Sequence, residues 1–160
     1  MAIEIERKFL VLGESWRSAA RQTPYVQGYL NRDPERTVRV RIEGDVARLT
    51  VKGRSRGATR AEFEYPIPVD DARALLALCD GPLVEKIRHL WTGSDGLCWE
   101  IDEFLGANAG LVVAELELES EDQPFVRPAW LGQEVTSDAR YFNASLAVRP
   151  WSTWSNPSPR

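Results

Sequence analysis

Eight segments of this chain alternate apolar and ionisable residues with a period of two, a pattern that commits the molecule to strands with one charged face each. They are residues 2–11, 24–31, 36–43, 46–53, 60–68, 83–92, 97–104 and 111–120, bounded by Gly, Pro, Asp and Asn as strands joined by turns are. Successive strand side chains point to opposite faces, so each segment separates its two kinds of residue in space. The first opposes Ile3, Ile5 and Phe9 to Glu4, Glu6 and Lys8. The third sets Val38, Val40 and Ile42 against Arg39, Arg41 and Glu43, and the fourth sets Leu49 and Val51 against Arg48, Thr50 and Lys52. The fifth carries Glu62 and Glu64, the sixth Lys86 and Arg88, the seventh Glu100 and Asp102, and the eighth Glu115, Glu117 and Glu119.

For any one strand, a solvated outer face is the ordinary reading of such alternation. Sorting by sign fits that reading less well, because a solvated face mixes Lys with Glu, whereas these strands tend toward a single sign. Like charges two residues apart repel. Convergence on a shared ligand makes the repulsion tolerable, with carboxylates collecting divalent cations and Lys and Arg collecting a multiply charged anion. The candidate inner face carries nine acids against six bases, an excess of three negative charges that bound cations would remove. Oxygen-only ligation without His or Cys selects hard ions, Mg²⁺ or Mn²⁺, and such ions share substrate phosphates. Lysine usage supports an anion site: there are 17 Arg and three Lys, and Lys8, Lys52 and Lys86 all lie on charged faces.

At 160 residues the chain is one domain by length. Residues 1–149 read as a mixed α+β, mainly β unit, and residues 150–160 as a weakly ordered Pro/Ser-rich tail carrying Trp151 and Trp154. Residues 69–78 read as a helix with Asp70 and Asp71 in its first turn, residues 14–21 as a shorter one, and residues 136–146 as a third capped by Thr136 or Ser137. A net charge of −4 argues against nucleic acid or an anionic membrane surface as partner. The charged start and the lack of any run near the roughly 18 apolar residues of a membrane span lead us to expect a cytoplasmic protein. An outer-membrane barrel is disfavoured by outward charges such as Arg7, Glu85 and Glu103 and by the helical insert at 69–79. Cys79 and Cys98 read as reduced, packed thiols. His89 falls opposite Lys86 and Arg88 and reads as a packing residue outside the charged face, while Trp91 and Trp99 are expected to pack under a covering helix.

Glu4-Ile5-Glu6-Arg7-Lys8, followed by Phe9-Leu10-Val11, resembles the E-x-E-x-K signature of the CYTH superfamily, the triphosphate tunnel metalloenzymes. The chain is also similar to that family, in order, at Arg39/Arg41, Lys52, Glu62/Glu64, Lys86/Arg88, Asp102 and Glu115/Glu117. The resemblance implies an eight-stranded antiparallel β-barrel forming a tunnel, with helices packed outside and charged side chains in the lumen. It implies metal ligation by Glu4, Glu6, Glu115, Glu117 and Glu119. It implies phosphate binding by Lys8, Arg39, Arg41, Lys52, Lys86 and Arg88, and a second metal or an oriented water at Glu62, Glu64 and Asp102. Asp138-Ala139-Arg140-Tyr141-Phe142-Asn143 resembles the late tunnel-plugging D-K-R-Y-x-N element, with Arg140 on phosphate and Ala139 in place of the usual Lys. Tyr29 is placed in the lumen to position a nucleophile or phosphate, or packs in the core.

Gln27-Gly28-Tyr29-Leu30 and Trp130-Leu131-Gly132-Gln133-Glu134-Val135-Thr136 resemble the bacterial tripolyphosphatase branch rather than the class IV adenylate cyclases. The expected function is therefore metal-dependent hydrolysis of a small-molecule triphosphate, inorganic tripolyphosphate first and nucleoside triphosphates second. The alternatives are a class IV-type adenylate cyclase, a thiamine triphosphatase, or a noncatalytic module that binds polyphosphate or nucleotide. An apolar strand edge would suit a homodimer.

Overall fold

The computed structural model describes residues 3–154. Each alternating segment forms a strand: β1 (Ile3–Val11), β2 (Arg21–Asn31), β3 (Thr37–Glu43), β4 (Val46–Lys52), β5 (Thr59–Ile67), β6 (Val84–Thr92), β7 (Cys98–Phe104) and β8 (Val112–Glu117). Their order is β5-β4-β3-β2-β6-β7-β8-β1, and β1 also pairs with β5, so eight antiparallel strands close into a barrel. The closing seam is narrow, with Ile3, Glu4 and Ile5 opposite Ala61, Arg60 and Thr59. Beyond it the edge of β1 is taken by an additional strand, β9 (Leu131–Glu134), which pairs at Phe9 and Val11. Gly132 is required there, since a Cβ would meet the Leu10 carbonyl oxygen at 2.8 Å.

Two apolar clusters cover the outside of the barrel. Helix α1 (Val69–Leu78) has Asp70 and Asp71 in its first turn and lays Ala72 and Leu76, one turn apart, against Val40 and Ala47. On the opposite side Phe9, Trp99 and Trp130 pack with Trp91 and Phe125 in edge-to-face contacts at centroid separations of 5.3–6.0 Å. Trp91 and Trp99 are thus covered by Phe125 and Trp130 of a non-helical segment, not by the helix expected there. His89 lies outside the barrel as expected, edge-on to Trp16 at 4.9 Å with Nε2 3.1 Å from Glu103 Oε1.

A third cluster fills one end of the barrel itself. The inward faces turn apolar at Leu10, Val84, Phe104 and Val113, and Tyr141, Leu146 and Ala147 pack onto them. The helix expected over 136–146 is broken into a 3-10 turn (Ala139–Tyr141) and α2 (Asn143–Val148). The break falls at Phe142, whose backbone is extended; Asp138 caps the 3-10 turn by accepting the Arg140 backbone N–H, whereas Thr136 uses its hydroxyl on Lys8 N and Glu134. Residues 14–21 likewise form only a 3-10 turn, Ser15–Ser18, before β2 begins. In the tail, Trp151 N donates to Asn108 Oδ1 at 2.8 Å and Trp154 packs edge-on against Tyr141, while residues 155–160 of the expected weakly ordered segment lie outside the described residues. Both cysteines are free, and Cys98, at the first residue of β7, is exposed rather than packed.

Candidate active site

Register decides which charges meet in the lumen. The β1–β8 ladder sets Glu6 opposite Glu117 and Lys8 opposite Glu115, β7–β8 sets Glu100 opposite Glu115, and β4–β5 sets Lys52 opposite Glu62. The result is a cavity of about 620 Å³. Of the side chains anticipated from sequence, Glu4, Glu6, Lys8, Tyr29, Arg39, Arg41, Lys52, Glu62, Glu64, Lys86, Arg88, Glu115 and Glu117 all line it.

Carboxylates gather on one side. Burial and then the neighbouring Glu115 push the Glu6 carboxyl well above its usual range, and Glu6 and Glu115 share a hydrogen bond. Burial acts on Glu115 in the same direction, but Lys8, the hydrogen bond from Glu6 and Arg88 outweigh it and hold Glu115 well below the usual range. Glu4 shares a second hydrogen bond with Glu62 and is raised by burial against the pull of Lys52. Lys52 Nζ lies 3.1 and 3.2 Å from the two Glu4 oxygens and 3.3 Å from Glu62 Oε2. Glu117 and Glu100 are raised as well, first by burial.

Cations occupy the facing wall. Arg88 grips Asp102 through Nε at 2.8 Å and Nη2 at 2.9 Å, and Lys86 Nζ lies 2.7 Å from the same carboxylate. Burial, opposed by Asp102 and reinforced by Arg88 and Arg41, pulls the Lys86 ammonium down to about 7. Arg39 Nη2 donates to Thr50 Oγ1 at 3.2 Å and lies 3.6 Å from Glu64. Lys8 Nζ donates to the Tyr141 carbonyl at 3.3 Å, where the plug meets the charged zone.

Three anticipated residues stand elsewhere. Asp102 faces inward but is fully buried beneath Lys86 and Arg88, so it holds the two cations and does not reach the cavity. Glu119 lies past the last residue of β8 and is exposed, its backbone N–H donating to Gln123 Oε1. Arg140 is exposed, paired with Asp138 at 2.7 Å and laid over Tyr141 and Trp154.

Other residues complete the site. The Tyr25 ring lies 4.9 Å from both the Arg41 and Arg88 guanidinium carbons, and Gln27 joins Arg41 to Tyr29 and Asn143. Both share the strand parity of Tyr29, and Arg60 shares that of Glu62, so the period-two pattern contained them. Arg32 and Arg54 come from connecting segments and carried no such signal. With these additions the cavity is lined by ten cations and eight carboxylates, which overturns the negative excess expected from sequence. Local crowding of carboxylates, not the total, is what calls for a cation.

A hard divalent ion suits this donor set, which is carboxylate oxygen throughout. Among the described residues no three of these carboxylates already form a ready cation cage. Burial and the neighbouring carboxylates raise both Glu6 and Glu4, the direction expected where negative charge is uncompensated.

The profile of the CYTH domain matches residues 2–150. The inorganic triphosphatase of Acetivibrio thermocellus is 46% identical over 155 residues, 96% of this chain and 99% of that protein. The inorganic triphosphatase of Nitrosomonas europaea is 38% identical, covering 91% of this chain and 97% of its own. The crystal structure of the inorganic triphosphatase NE1496 superposes with a TM-score of 0.66 at 36% identity, over 92% of this chain and 96% of that one. With the matched profile spanning the whole barrel and its plug, this chain belongs to the CYTH domain family.

Proposed function

We propose that this protein is a divalent-metal-dependent triphosphatase that hydrolyses inorganic tripolyphosphate, and nucleoside triphosphates less readily, in the cytoplasm. One observation carries the reading: a single one-ended cavity holds a cationic wall facing a carboxylate cluster, the pairing that a metal-bound chain of phosphates requires. The two relatives named inorganic triphosphatases, aligned over nearly the full chain, support the substrate class. The net charge of −4 favours a small anion held in a local basic site over nucleic acid.

In this reading Lys8, Arg39, Arg41, Lys86 and Arg88 bind the phosphate oxygens and stabilise the charge that develops on them during transfer. Asp102 acts through Lys86 and Arg88, fixing both ends of that cationic pair. Mg²⁺ or Mn²⁺, held by Glu4, Glu6, Glu115 and Glu117, would supply Lewis-acid polarisation of a phosphoryl oxygen. Lys52 stands between Glu4 and Glu62, and Glu62 with Glu64 orients the attacking water. The apolar plug of Leu10, Phe104, Tyr141 and Leu146 keeps bulk water from the far end of the cavity. His89 and both cysteines lie outside the cavity lining, so the chain's own contribution is charge placement without a covalent intermediate on those side chains.

The test is orthophosphate release from tripolyphosphate, ATP and pyrophosphate with Mg²⁺, Mn²⁺ or EDTA, comparing parent, Glu6→Ala and Arg41→Ala. The expected result is metal-dependent release favouring tripolyphosphate, lost in Glu6→Ala and lowered roughly 10- to 100-fold in Arg41→Ala. Full activity in EDTA, or in both variants, would overturn the assignment.

A further inference from the structure

We propose that Gln27 sets the direction of the hydrogen bonds along the cationic wall, so that Tyr29 and Asn143 both present donors to the ligand. The inference rests on the triphosphatase reading and adds to it a positioning residue that determines specificity.

The argument starts from a side chain with no exposure at all. Gln27 is completely buried on β2, in the midst of charged neighbours. Arg41 Nε donates to it at 2.9 Å. A guanidinium has donors only, so the Gln27 atom it meets is the amide oxygen, and the orientation of the amide follows. The remaining atom is the amide nitrogen, which donates at 3.1 Å to the Tyr29 hydroxyl oxygen and at 3.1 Å to Asn143 Oδ1. Both recipients are thereby turned. The Tyr29 oxygen accepts, which leaves its own proton to be donated elsewhere. Asn143 Oδ1 accepts from Gln27 and again from Lys86 Nζ at 2.9 Å, which leaves its Nδ2 group unengaged. Among the described residues no hydrogen bond uses either of these donors, and both residues line the cavity.

Gln27 and its partners therefore form a patch of donors: the Arg41 guanidinium, the Lys86 ammonium, the Tyr29 hydroxyl and the Asn143 amide nitrogen. Ionised phosphate oxygens are acceptors only and match it fully. A ligand edge that carries its own N–H donors is mismatched to this patch and must take its acceptors from the carboxylates that line the rest of the cavity. Gln27 is suited to the task because its amide accepts at one end and donates at the other. A carboxylate in its place would accept at both ends, take the Tyr29 proton and reverse the chain of bonds, while retaining the contact with Arg41.

The experiment is a double-mutant cycle on tripolyphosphate hydrolysis with parent, Gln27→Glu, Tyr29→Phe and the double variant. Because these donors grip the substrate before and during transfer, Gln27→Glu is expected to raise KM at least tenfold while kcat stays within threefold. Thermal unfolding of Gln27→Glu should match or exceed the parent, since Arg41 keeps its partner. In the Tyr29→Phe background the same substitution should cost at least threefold less, because the proton it would capture is absent. An equal loss in both backgrounds, or a parent-like KM, would overturn the proposal. Should Gln27→Glu fail to fold, Gln27→Met, which keeps the volume and removes the polar atoms, enters the same cycle with the same expectation of non-additivity. A parent that releases no orthophosphate would count against the triphosphatase reading alone. The cycle is then read as tripolyphosphate affinity by calorimetry, where the same non-additivity sustains the role of Gln27 and simple additivity removes it.

Discussion

The carboxyl groups of Glu6 and Glu115, on adjacent strands of the barrel, are joined by a hydrogen bond that requires a shared proton, with Glu6 pushed well up and Glu115 held well down. A group whose value is raised on folding contributes stability that is complete below its unfolded value, near 4.5 for Glu6, and is lost as pH rises through its folded value. Glu4, Glu100 and Glu117 are raised in the same sense. Thermal unfolding in EDTA should therefore show Tm falling as pH climbs from about 4.5 toward neutrality. Glu6→Gln should flatten that slope and raise Tm at pH 7 by about 3 °C, the shift that ~1 kcal/mol makes in a domain of this size. Mg²⁺ should stabilise the parent and not the variant. Parallel pH slopes for the two proteins would refute the shared proton.

Lys86 gives a different pH signature. Its value of about 7 lies below the ordinary 10.5, so the folded protein binds fewer protons than the unfolded chain between those values, and this residue's contribution to stability rises with pH there. A polyanion in the cavity favours the ammonium and reverses the shift. At pH 8, tripolyphosphate binding by the parent should take up most of a proton more than binding by Lys86→Arg. Calorimetry in buffers of different ionisation enthalpy reads the difference. Equal proton uptake by the two proteins would show that Lys86 is already charged.

Asp102 is the counterion of two buried cations. Removing one partner of a buried pair costs about 3–5 kcal/mol, because the charge left behind is uncompensated. Asp102→Ala should lose stability of that order in urea unfolding. Tripolyphosphate should then restore more stability to the variant than it adds to the parent, since it brings negative charge to the same two cations. Equal ligand stabilisation of both proteins would contradict the positioning role.

Glu119→Ala and Arg140→Ala should each hydrolyse tripolyphosphate within twofold of the parent, since both side chains lie outside the cavity. Arg41→Ala removes a charged donor from the cationic wall. A charge-assisted hydrogen bond of about 1.5–3 kcal/mol corresponds to a fall of roughly 10- to 100-fold in kcat/KM. A larger loss for Arg140→Ala than for Arg41→Ala would return the plug turn to the site.

The misplaced residues show where strand parity stops being informative. Glu119 has the parity of Glu115 and Glu117, but β8 ends at Glu117 and parity has no meaning once the chain leaves the sheet. Asp102 is on the inward face as its position requires, yet depth along the barrel axis is not a property of one strand, and Lys86 and Arg88 lie over it. Arg140 was drawn outward by a local competitor, the Asp138 carboxylate two residues away. β9 carried no alternating pattern because Leu131–Glu134 is strand only by virtue of the β1 edge that β5 leaves open.

Eight strands, their inward charged faces and the segregation of acidic from basic segments were determined by the sequence alone, because a period of two in side-chain direction is a local property of extended backbone. Ring closure, the apolar plug at one end and the pairing of Glu6 with Glu115, Lys86 with Asp102 and Gln27 with Arg41 were decided only by the tertiary structure. Those relations depend on register between strands far apart in the chain, and a shift of one residue in register would carry every charged side chain to the outer face.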